Sequence, residues 1–177
     1  MNIAIDIDGT VIDTMGAVLK QFHPNITKES ITNYKLDECI PNLTKERVIW
    51  EYERIDYLNI RWVGTKTHQT LDKLDKSNDL NKHLTYFLTS KTPKMIIWTQ
   101  DYLYGFQAIS IPIITSLKKQ EYVNQFDILI EDNPEMLNYG IPIEKLRFIK
   151  QPWNQCLEEK GIKRYNEISE IIDELNL

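Results

Sequence analysis

The sequence is poor in the residues that build disulfide frameworks and fibres. Its 177 residues include two cysteines, Cys39 and Cys156, six glycines and seven prolines. A small secreted disulfide-rich protein carries more cysteines at closer spacing, so we expect both thiols to be reduced, as in the cytoplasm. The low Gly and Pro content excludes a collagen-like or low-complexity chain. The three histidines, His23, His68 and His83, lack the spacing of a metal site.

An excess of basic residues and long apolar runs are also missing. The chain has 21 Lys and Arg against 26 Asp and Glu, a net charge of −5. Nucleic-acid binders usually carry a basic footprint, so we expect no stable nucleic-acid binding, although a local basic pocket for one phosphate stays open. No apolar run approaches the ~20 residues that cross a bilayer, and the first residues lack the pattern of a signal peptide. We therefore expect a cytoplasmic protein with no membrane partner.

The composition is that of a globular protein, with 42% hydrophobic and 27% charged residues. The length suits one domain with a small insertion. Short apolar runs predict strands, and the segments between them have helical spacing. The strands are predicted at residues 3–7, 85–89, 110–115, 127–130 and 146–149, and the helices at 94–104, 117–124, 134–139 and 166–175. This alternation indicates βαβ units and an α/β fold with a parallel sheet.

Residues 14–80 differ in character from the rest of the chain. They are rich in charged residues, Asn and Thr, and their apolar residues have helical spacing. Thr44 is a suitable N-cap, and Val48, Tyr52 and Ile55 follow at intervals typical of one helix face. This segment is therefore predicted to be helical.

Two carboxylates stand two residues apart where the first predicted strand ends. Asp6 and Asp8 follow an apolar run, and Gly9 then lets the backbone turn and approach an anion. In open α/β sheets, ligands bind outside the carboxyl ends of the strands. A capped Asp-Gly turn leaves Asp6 unexplained, because an ionised group at the end of a buried strand is costly without a partner. An EF-hand calcium loop needs Gly at its sixth and Glu at its twelfth position, and neither is present. We therefore interpret Asp6 and Asp8 as catalytic.

A second apolar strand, at residues 127–130, also ends in acids, Glu131 and Asp132. In a parallel sheet two such ends can lie side by side, and gathered carboxylates repel one another unless a cation neutralises them. Oxygen ligands together with a phosphate substrate suit Mg²⁺. The alternative is a capping pair at the start of the helix predicted from Pro134. We expect Asp132 to bind the metal and Glu131 to lie behind it.

Hydroxyl and lysine side chains at other strand ends are candidates for binding phosphate. Thr89 and Ser90 follow the strand at 85–89, where a hydroxyl and the backbone amides of a helix start can cradle an anion. Thr99 competes for this role, but it would leave a cramped helix before the next strand. Lys118 and Lys119 follow the strand at 110–115, where a lysine can neutralise phosphate charge. Each of these residues also has an ordinary structural interpretation, an N-cap or a surface lysine.

The order of these motifs resembles that of the haloacid dehalogenase superfamily of phosphohydrolases. That family has a D-x-D-G-T/V loop, a Ser or Thr at a strand end, a Lys and an acidic pair, and all four occur here in that order. The resemblance implies a Rossmann-like three-layer core with a parallel sheet, formed by residues 1–13 and 81–177. It also implies a small helical cap, residues 14–80, inserted after the first motif.

A closer resemblance is to the 5′(3′)-deoxyribonucleotidases. Residues 89–95 look like their T-S-P-x-K-M segment with one extra residue, and 49–51 are similar to a cap segment that brings a Trp against the nucleobase. Residues 151–154 resemble the P-W-N turn of some relatives. The resemblance implies deoxyribonucleoside monophosphates as substrates, with Trp50 stacked on the base. Phe22 and Trp62 are weaker candidates, and Glu131 stands where many members have Asp.

By this resemblance the reaction is hydrolysis of a phosphomonoester through an aspartyl-phosphate. Asp6 would attack phosphorus, and Asp8 would protonate the leaving oxygen and then take a proton from water. Mg²⁺ would be held by the Asp6 side chain, the Asp8 backbone carbonyl and Asp132, and Asp13 would steady the loop. The implied phosphate-binding residues are Gly9, Thr89, Ser90, Lys94 and Lys118, and the choice between Lys118 and Lys119 stays open.

Three other functions stay open. The first is a phosphatase of the same superfamily that acts on another small phosphorylated metabolite. The second is a nucleic-acid 3′-phosphatase, against which the acidic balance and the missing basic stripe weigh. The third is a non-catalytic binding module, which would have no need for the second catalytic carboxylate. The preferred base and sugar are also open, and a homodimer is compatible with the sequence.

Overall fold

A six-stranded parallel sheet forms the centre of the protein. The structure, a computed structural model, describes residues 1–79, 82–116 and 118–177. The strands are β1 (Asn2–Ile5), β2 (Leu84–Thr89), β3 (Ile113–Thr115), β4 (Ile128–Glu131), β5 (Leu146–Ile149) and β6 (Arg164–Tyr165). Their order across the sheet is β3-β2-β1-β4-β5-β6, and every pair is parallel. The predicted α/β class with a parallel sheet is confirmed, and this strand order is compatible with a Rossmann-like fold.

Both faces of the sheet are buried. Ile3 and Ile5 of β1 belong to one hydrophobic cluster, whereas Ala4 between them belongs to a second cluster on the opposite face. In β4, Ile130 and Leu129 divide between the same two clusters. Successive side chains in a strand point to opposite faces, so a sheet that is covered on both sides needs an uninterrupted apolar run. This explains why these strand sequences are continuous apolar runs and do not alternate between apolar and polar residues.

The helices are α1 (Thr14–Phe22), α2 (Leu36–Cys39), α3 (Lys45–Tyr52), α4 (Thr67–Asp79), α5 (Pro93–Gln100), α6 (Cys156–Glu159) and α7 (Ile168–Glu174). Two of the predicted helices are present but are not α-helical throughout. The helix predicted at 94–104 is α5 followed by a π-helical segment, Asp101–Phe106, and the one predicted at 134–139 is a 3₁₀ helix. The stripe predicted on the last helix is confirmed, because Ile168, Ile171 and Ile172 are buried and Leu175 packs against the same cluster.

The connection from β3 to β4 is not the predicted α-helix over 117–124. Two 3₁₀ turns, Lys119–Glu121 and Val123–Gln125, occupy most of it, and Leu117 lies outside the described residues. About a dozen residues are the minimum for a parallel crossover. A connection this short has little room for a full helix. The strand before it also begins later than predicted, at Ile113, because Pro112 has no amide hydrogen for the ladder.

The segment between β1 and β2 contains α1 to α4. Thr44 is the N-cap of α3 as predicted, since its Oγ1 accepts a hydrogen bond of 3.2 Å from the Arg47 amide. Met15 and Leu36 of this segment share one hydrophobic cluster with Ile5 of the sheet. Helix α4 packs against β2 and α7, as a crossover helix of the sheet does. The predicted boundary between cap and core, at residues 80 and 81, lies outside the described residues.

Two further observations concern the chain as a whole. Neither Cys39 nor Cys156 forms a disulfide. Within residues 1–79, 82–116 and 118–177, no helix has both the length and the apolar composition needed to cross a membrane.

Candidate active site

The carboxyl ends of β1 and β4 bring three acidic residues together. The Asp6 amide donates a hydrogen bond of 2.9 Å to the Ile130 carbonyl, which fixes the two strand ends side by side. Carboxylate oxygens of Asp6, Glu131 and Asp132 all lie within 4.8 Å of one another, and the three side chains are buried. The expectation that two acidic strand ends meet at one edge of the sheet therefore agrees with the structure.

One lysine contacts this acidic cluster, Asp6, Glu131 and Asp132. Lys119 Nζ forms an ion pair with Asp6 Oδ1 and lies 3.0 Å from Glu131 Oε1. Lys118, which the sequence predicted for this place, is instead exposed and pairs with Glu121 at 3.1 Å. Of the two lysines between which the sequence did not decide, Lys119 is the one that contacts the cluster. The 3₁₀ turn that begins at Lys119 points these two adjacent side chains in different directions, which their sequence positions alone do not distinguish.

Burial dominates the electrostatics of the cluster. It raises the pKa of Asp6, with a further rise from the charge of Asp8, while Lys119 acts in the opposite direction. Burial and the charge of Asp6 also raise the pKa of Glu131, to about 7, and burial raises that of Asp132 well above its ordinary value. For Lys119, burial acts to lower the pKa, but Asp6 and Glu131 outweigh it and the pKa is raised. The cluster therefore holds three acidic groups and one ammonium, and burial disfavours the charged form of each acid.

The cluster fits a hard divalent cation. Glu131 Oε2 is buried and has no hydrogen-bond partner among the described residues. A buried carboxylate oxygen without a donor is costly, and a cation at the cluster would satisfy it. The donor set is all oxygen, which Mg²⁺ prefers. The cluster includes Glu131, which the sequence analysis expected behind the metal, and it does not include the Asp8 side chain.

Residues 151–154 support Asp132 from the neighbouring strand end. Trp153 Nε1 donates to Asp132 Oδ2 at 3.1 Å, and Asn154 Nδ2 donates to the Asp132 carbonyl at 2.8 Å. Gln151 Nε2 donates to the Gly9 carbonyl. The sequence analysis recognised this turn but assigned no role to it. The structure shows that it fixes both the Asp132 side chain and the loop after β1.

Gly9 lies where the loop after β1 passes Asp132. Its φ is +76°, a left-handed conformation that favours glycine. A Cβ at Gly9 would lie 2.9 Å from Asp132 Cγ and 3.2 Å from the Trp153 ring. Gly9 is therefore required here both by its backbone conformation and by the lack of space.

The Asp8 carboxylate faces away from the acidic cluster toward two donors. Asp8 Oδ1 accepts hydrogen bonds from Thr14 Oγ1 and from Lys91 Nζ, the latter at 2.7 Å. The Lys91 side chain is only 1% exposed. Lys91 was not among the predicted site residues, although its place directly after Ser90 at a strand end is a signal that points to it.

The predicted phosphate-binding residues of the segment after β2 have different surroundings. Thr89 is buried at the end of β2, and Ser90 beside it is exposed and lines the cavity described next. Lys94 is half exposed and lies 3.5 Å from Glu53, so it is not brought to the cluster. Thr99 lies within α5, and its hydroxyl donates to the Met95 carbonyl at 2.8 Å. Thr99 is therefore not at a strand end, which agrees with the choice of Thr89 over Thr99 as the candidate for binding phosphate.

Asp13, which the resemblance gave the role of steadying the loop, does hold local structure. Its side chain caps α1 by accepting a hydrogen bond of 3.1 Å from the Gly16 amide. It also pairs with Lys28 at 2.6 Å. Asp13 therefore links the start of α1 to Lys28, which follows that helix.

A cavity of about 370 Å³ opens beside the cluster. Asp8, Gly9, Asp132, Ser90 and Lys91 line it on the side of the sheet. The segment between β1 and β2 supplies most of the remaining wall, through Met15, Tyr34, Lys35, Leu36, Asp37, Lys45, Val48, Ile49 and Tyr52. This volume lies in the range of small-molecule pockets, which are mostly apolar with a few polar groups.

Trp50 does not line this cavity. Helix α3 presents Lys45, Val48, Ile49 and Tyr52 to it, at the spacing of a single helix face. The Trp50 ring instead lies 4.0 Å from the Arg47 guanidinium and 4.4 Å from that of Arg54. Trp50 thus lies outside the cavity wall, and its stacking on a base stays a prediction. The two weaker candidates are also absent from the wall, since Phe22 packs against Trp50 and Trp62 against His68 and Tyr102.

Comparison of the chain with protein-family models and with the curated proteins finds no match. The interpretation of the site thus depends on its motifs and its geometry.

Proposed function

We propose that the protein is a Mg²⁺-dependent phosphomonoester hydrolase that acts on deoxyribonucleoside monophosphates through an aspartyl-phosphate. The observation that carries this proposal is the cluster of Asp6, Glu131 and Asp132 with Lys119 at the carboxyl edge of a parallel sheet. In open α/β sheets this edge is where ligands bind. Asp8 lines the adjacent cavity, so a second carboxylate is available to a substrate held there.

In the first step an Asp6 carboxylate oxygen bonds to phosphorus, and the bond from phosphorus to the leaving oxygen breaks. Asp8 gives its proton to that oxygen, which departs as an alcohol. In the second step water attacks the phosphoryl group, Asp8 takes a proton from the water, and Asp6 is released with inorganic phosphate. Lys119 supplies a fixed positive charge beside the attacking carboxylate.

The carboxylates of Asp6, Asp132 and Glu131 and the backbone carbonyl of Asp8 would hold Mg²⁺. When bound, the ion would neutralise the phosphoryl oxygens, so that an anionic nucleophile can approach an anionic substrate. Ser90 and Thr89 at the end of β2 are the candidates for hydrogen bonds to these oxygens. Lys91 replaces Lys94 as the lysine of this segment that lies closest to the site.

The cavity supports a substrate with a planar, partly apolar group. Tyr34, Tyr52 and Trp153 line it, and aromatic faces stack favourably on nucleobases. With Trp50 outside the wall, we assign base contact to the tyrosines. The absence of a basic stripe on an acidic chain favours a mononucleotide over a nucleic-acid end. A cytoplasmic location stays a prediction, which depends on the two free cysteines.

The test is phosphate release from deoxyribonucleoside and ribonucleoside monophosphates, with and without Mg²⁺. We expect release that needs Mg²⁺, that favours deoxyribonucleotides, and that falls on the order of 10³-fold or more in Asp6→Asn. Asp127→Asn is the matched control, because Asp127 precedes β4 at the opposite edge of the sheet and accepts from the Asn2 amide at 2.8 Å. Acid-quenched enzyme should carry phosphate that hydroxylamine removes, and Asp6→Asn should carry none.

Other outcomes would change the proposal in defined ways. Release only from sugar phosphates or aryl phosphates would keep the chemistry and reject the nucleotide substrate. Release from a 3′-phosphorylated oligonucleotide alone would favour an end-processing enzyme. No release from any substrate, by folded protein that binds Mg²⁺, would favour a binding module.

A further inference from the structure

The two oxygens of the Asp8 carboxylate have different surroundings. Oδ1 accepts both hydrogen bonds, from Thr14 Oγ1 and from Lys91 Nζ at 2.7 Å. Oδ2 accepts none from the described residues, and the Asp8 side chain is 23% exposed and lines the cavity. One oxygen is thus held by the protein, and the other is available to a molecule in the cavity.

Lys91 lies in the cavity wall, and its ammonium is paired there with Asp8. Its side chain is buried, and a buried ammonium is retained only with a close partner. Asp8 is its only ion-pair partner among the described residues, and Lys91 Nζ also lies 5.9 Å from the centroid of the Tyr57 ring. It directly follows Ser90 and precedes Thr92, the N-cap of α5, so its backbone is fixed between a strand and a helix.

Thr14 reaches Asp8 from a different element. It is the first residue of α1 and is fully buried. Because it comes from α1 and Lys91 comes from the turn before α5, the two donors approach Oδ1 from separate parts of the fold. Together they restrict rotation of the carboxylate, which a single donor would leave free to turn.

We propose that Lys91, together with Thr14, is a positioning residue that orients Asp8 so that Oδ2 exchanges the proton with the leaving oxygen. This inference rests on the proposed function. In the step it serves, the bond from phosphorus to the leaving oxygen breaks as the Asp6 bond to phosphorus forms. The proton on Asp8 Oδ2 moves to the leaving oxygen, and the resulting carboxylate keeps both hydrogen bonds at Oδ1.

This role predicts a dependence on the leaving group. An alcohol, such as the sugar hydroxyl of a nucleotide, needs a proton as it leaves, whereas nitrophenolate leaves readily without one. General acid catalysis typically contributes about 10²–10⁴-fold. Loss of Lys91 should therefore slow hydrolysis of an alkyl phosphate strongly and that of p-nitrophenyl phosphate little. A lysine that simply binds phosphate would affect both substrates equally, because both carry the same phosphate group.

The experiment measures kcat and KM for deoxyuridine monophosphate and for p-nitrophenyl phosphate with Lys91→Met, Thr14→Val and the unchanged protein. We expect kcat for the nucleotide to fall about 10²-fold or more in Lys91→Met, and that for p-nitrophenyl phosphate by less than about 5-fold. Thr14→Val should also lower kcat for the nucleotide more than kcat for p-nitrophenyl phosphate, but by a smaller factor. Lys76→Met is the matched control, since Lys76 also lies 2.7 Å from a carboxylate, Asp72, but on the surface of α4.

Two results would overturn the role of Lys91. Equal losses on the two substrates would make it a phosphate-binding or structural residue, and so would a higher KM on both with kcat unchanged. Thr14→Val replaces only a hydroxyl with a methyl group, so it keeps the test valid if Lys91→Met fails to fold. If the ratio of kcat for the nucleotide to kcat for p-nitrophenyl phosphate is unchanged in Thr14→Val, the positioning of Asp8 is rejected. An unchanged protein that is inactive on both substrates would instead reject the proposed function.

Discussion

Gly9 and Asp132, 123 positions apart in the chain, pack so closely that no side chain fits at Gly9. A Cβ at this position would lie 2.9 Å from Asp132 Cγ and nearer still to Oδ2. The loop after β1 and the acidic end of β4 are thus in direct contact. This contact holds Asp132 against the loop that carries the other two carboxylates, Asp6 and Asp8.

Gly9→Ala should therefore damage the site more than the fold. The left-handed φ of +76° costs an alanine about 1–2 kcal/mol in free energy of unfolding, and displacement of Asp132 adds to this. We expect a higher Mg²⁺ concentration for half-maximal activity, measured by titration of the ion. Gly140→Ala is the control, because Gly140 has a φ of +71° but nothing within 4 Å of a Cβ. Equal Mg²⁺ dependence in the two variants would show that Gly9 does not position Asp132.

Lys119→Met should destabilise the protein in the absence of metal. It leaves Asp6 and Glu131 buried without their ammonium partner, and loss of one partner of a buried pair costs about 3–5 kcal/mol. Saturating Mg²⁺ should restore part of this loss. Lys118→Met should change the free energy of unfolding by less than about 0.5 kcal/mol, because its partner Glu121 is exposed. Denaturant unfolding of both variants, with and without Mg²⁺, measures the difference, and equal effects would argue against the assignment of Lys119 to the cluster.

The metal-free protein should become less stable as pH rises from about 5 to about 7. The pKa of Glu131 is raised from 4.5 to about 7 in the folded state, so in this window the folded chain binds more protons than the unfolded chain. Burial raises the pKa of Asp6 and Asp132 in the same direction. We expect a loss on the order of 1–3 kcal/mol, measured by urea unfolding across the window.

Two controls belong with this pH series. Glu131→Gln should flatten the pH dependence in part, since Gln does not titrate. Saturating Mg²⁺ should reverse its sign, because the ion binds deprotonated carboxylates and competes with protons. Stability that is independent of pH in the metal-free protein would contradict the buried, proton-binding character of the cluster.

Tyr52→Ala should change KM for a nucleotide, whereas Trp50→Ala should change mainly the stability of the protein. Tyr52 lines the cavity, and loss of a stacking ring should raise KM for a nucleotide on the order of 10-fold. Trp50 contacts Arg47 and Arg54 outside the cavity, so its loss should leave KM within about 2-fold and cost about 0.5–1 kcal/mol of stability. Steady-state kinetics and denaturant unfolding separate the two. A raised KM in Trp50→Ala alone would restore the stacking role that the sequence predicted.

The sheet and its acidic edge could be predicted because they depend on local patterns. Apolar runs that end in Asp6 and in Glu131 define strand ends, and parallel topology puts such ends at one edge. Which carboxylates share a cation could not be predicted in this way. Asp8 turns toward Lys91 and Thr14, and Glu131 faces Asp6, because of contacts between residues far apart in the chain.

The positions of Lys118 away from the cluster and of Trp50 outside the cavity have a common physical cause. Both predictions assigned a side chain to the site from its place in the sequence, without its direction. Each residue of an α-helix is turned by about 100° from the one before it, so Tyr52 lines the cavity while Trp50, two residues earlier, points about 200° away. The rotation is about 120° per residue in a 3₁₀ turn, and Lys119 contacts the cluster while Lys118 does not. The direction of a side chain is determined by how its helix or turn packs against the rest of the protein, and this packing could not be predicted from the single sequence.

The central position of β1 has a consequence for how the chain folds during synthesis. β1 precedes β4 by more than 120 residues, so one of its edges stays open until β4 is made and pairs with it. An open strand edge is a template for association with other chains. The growing polypeptide thus carries an unsatisfied strand edge until residues 128–131 are made, and a fragment that stops before residue 128 should aggregate where the full sequence does not.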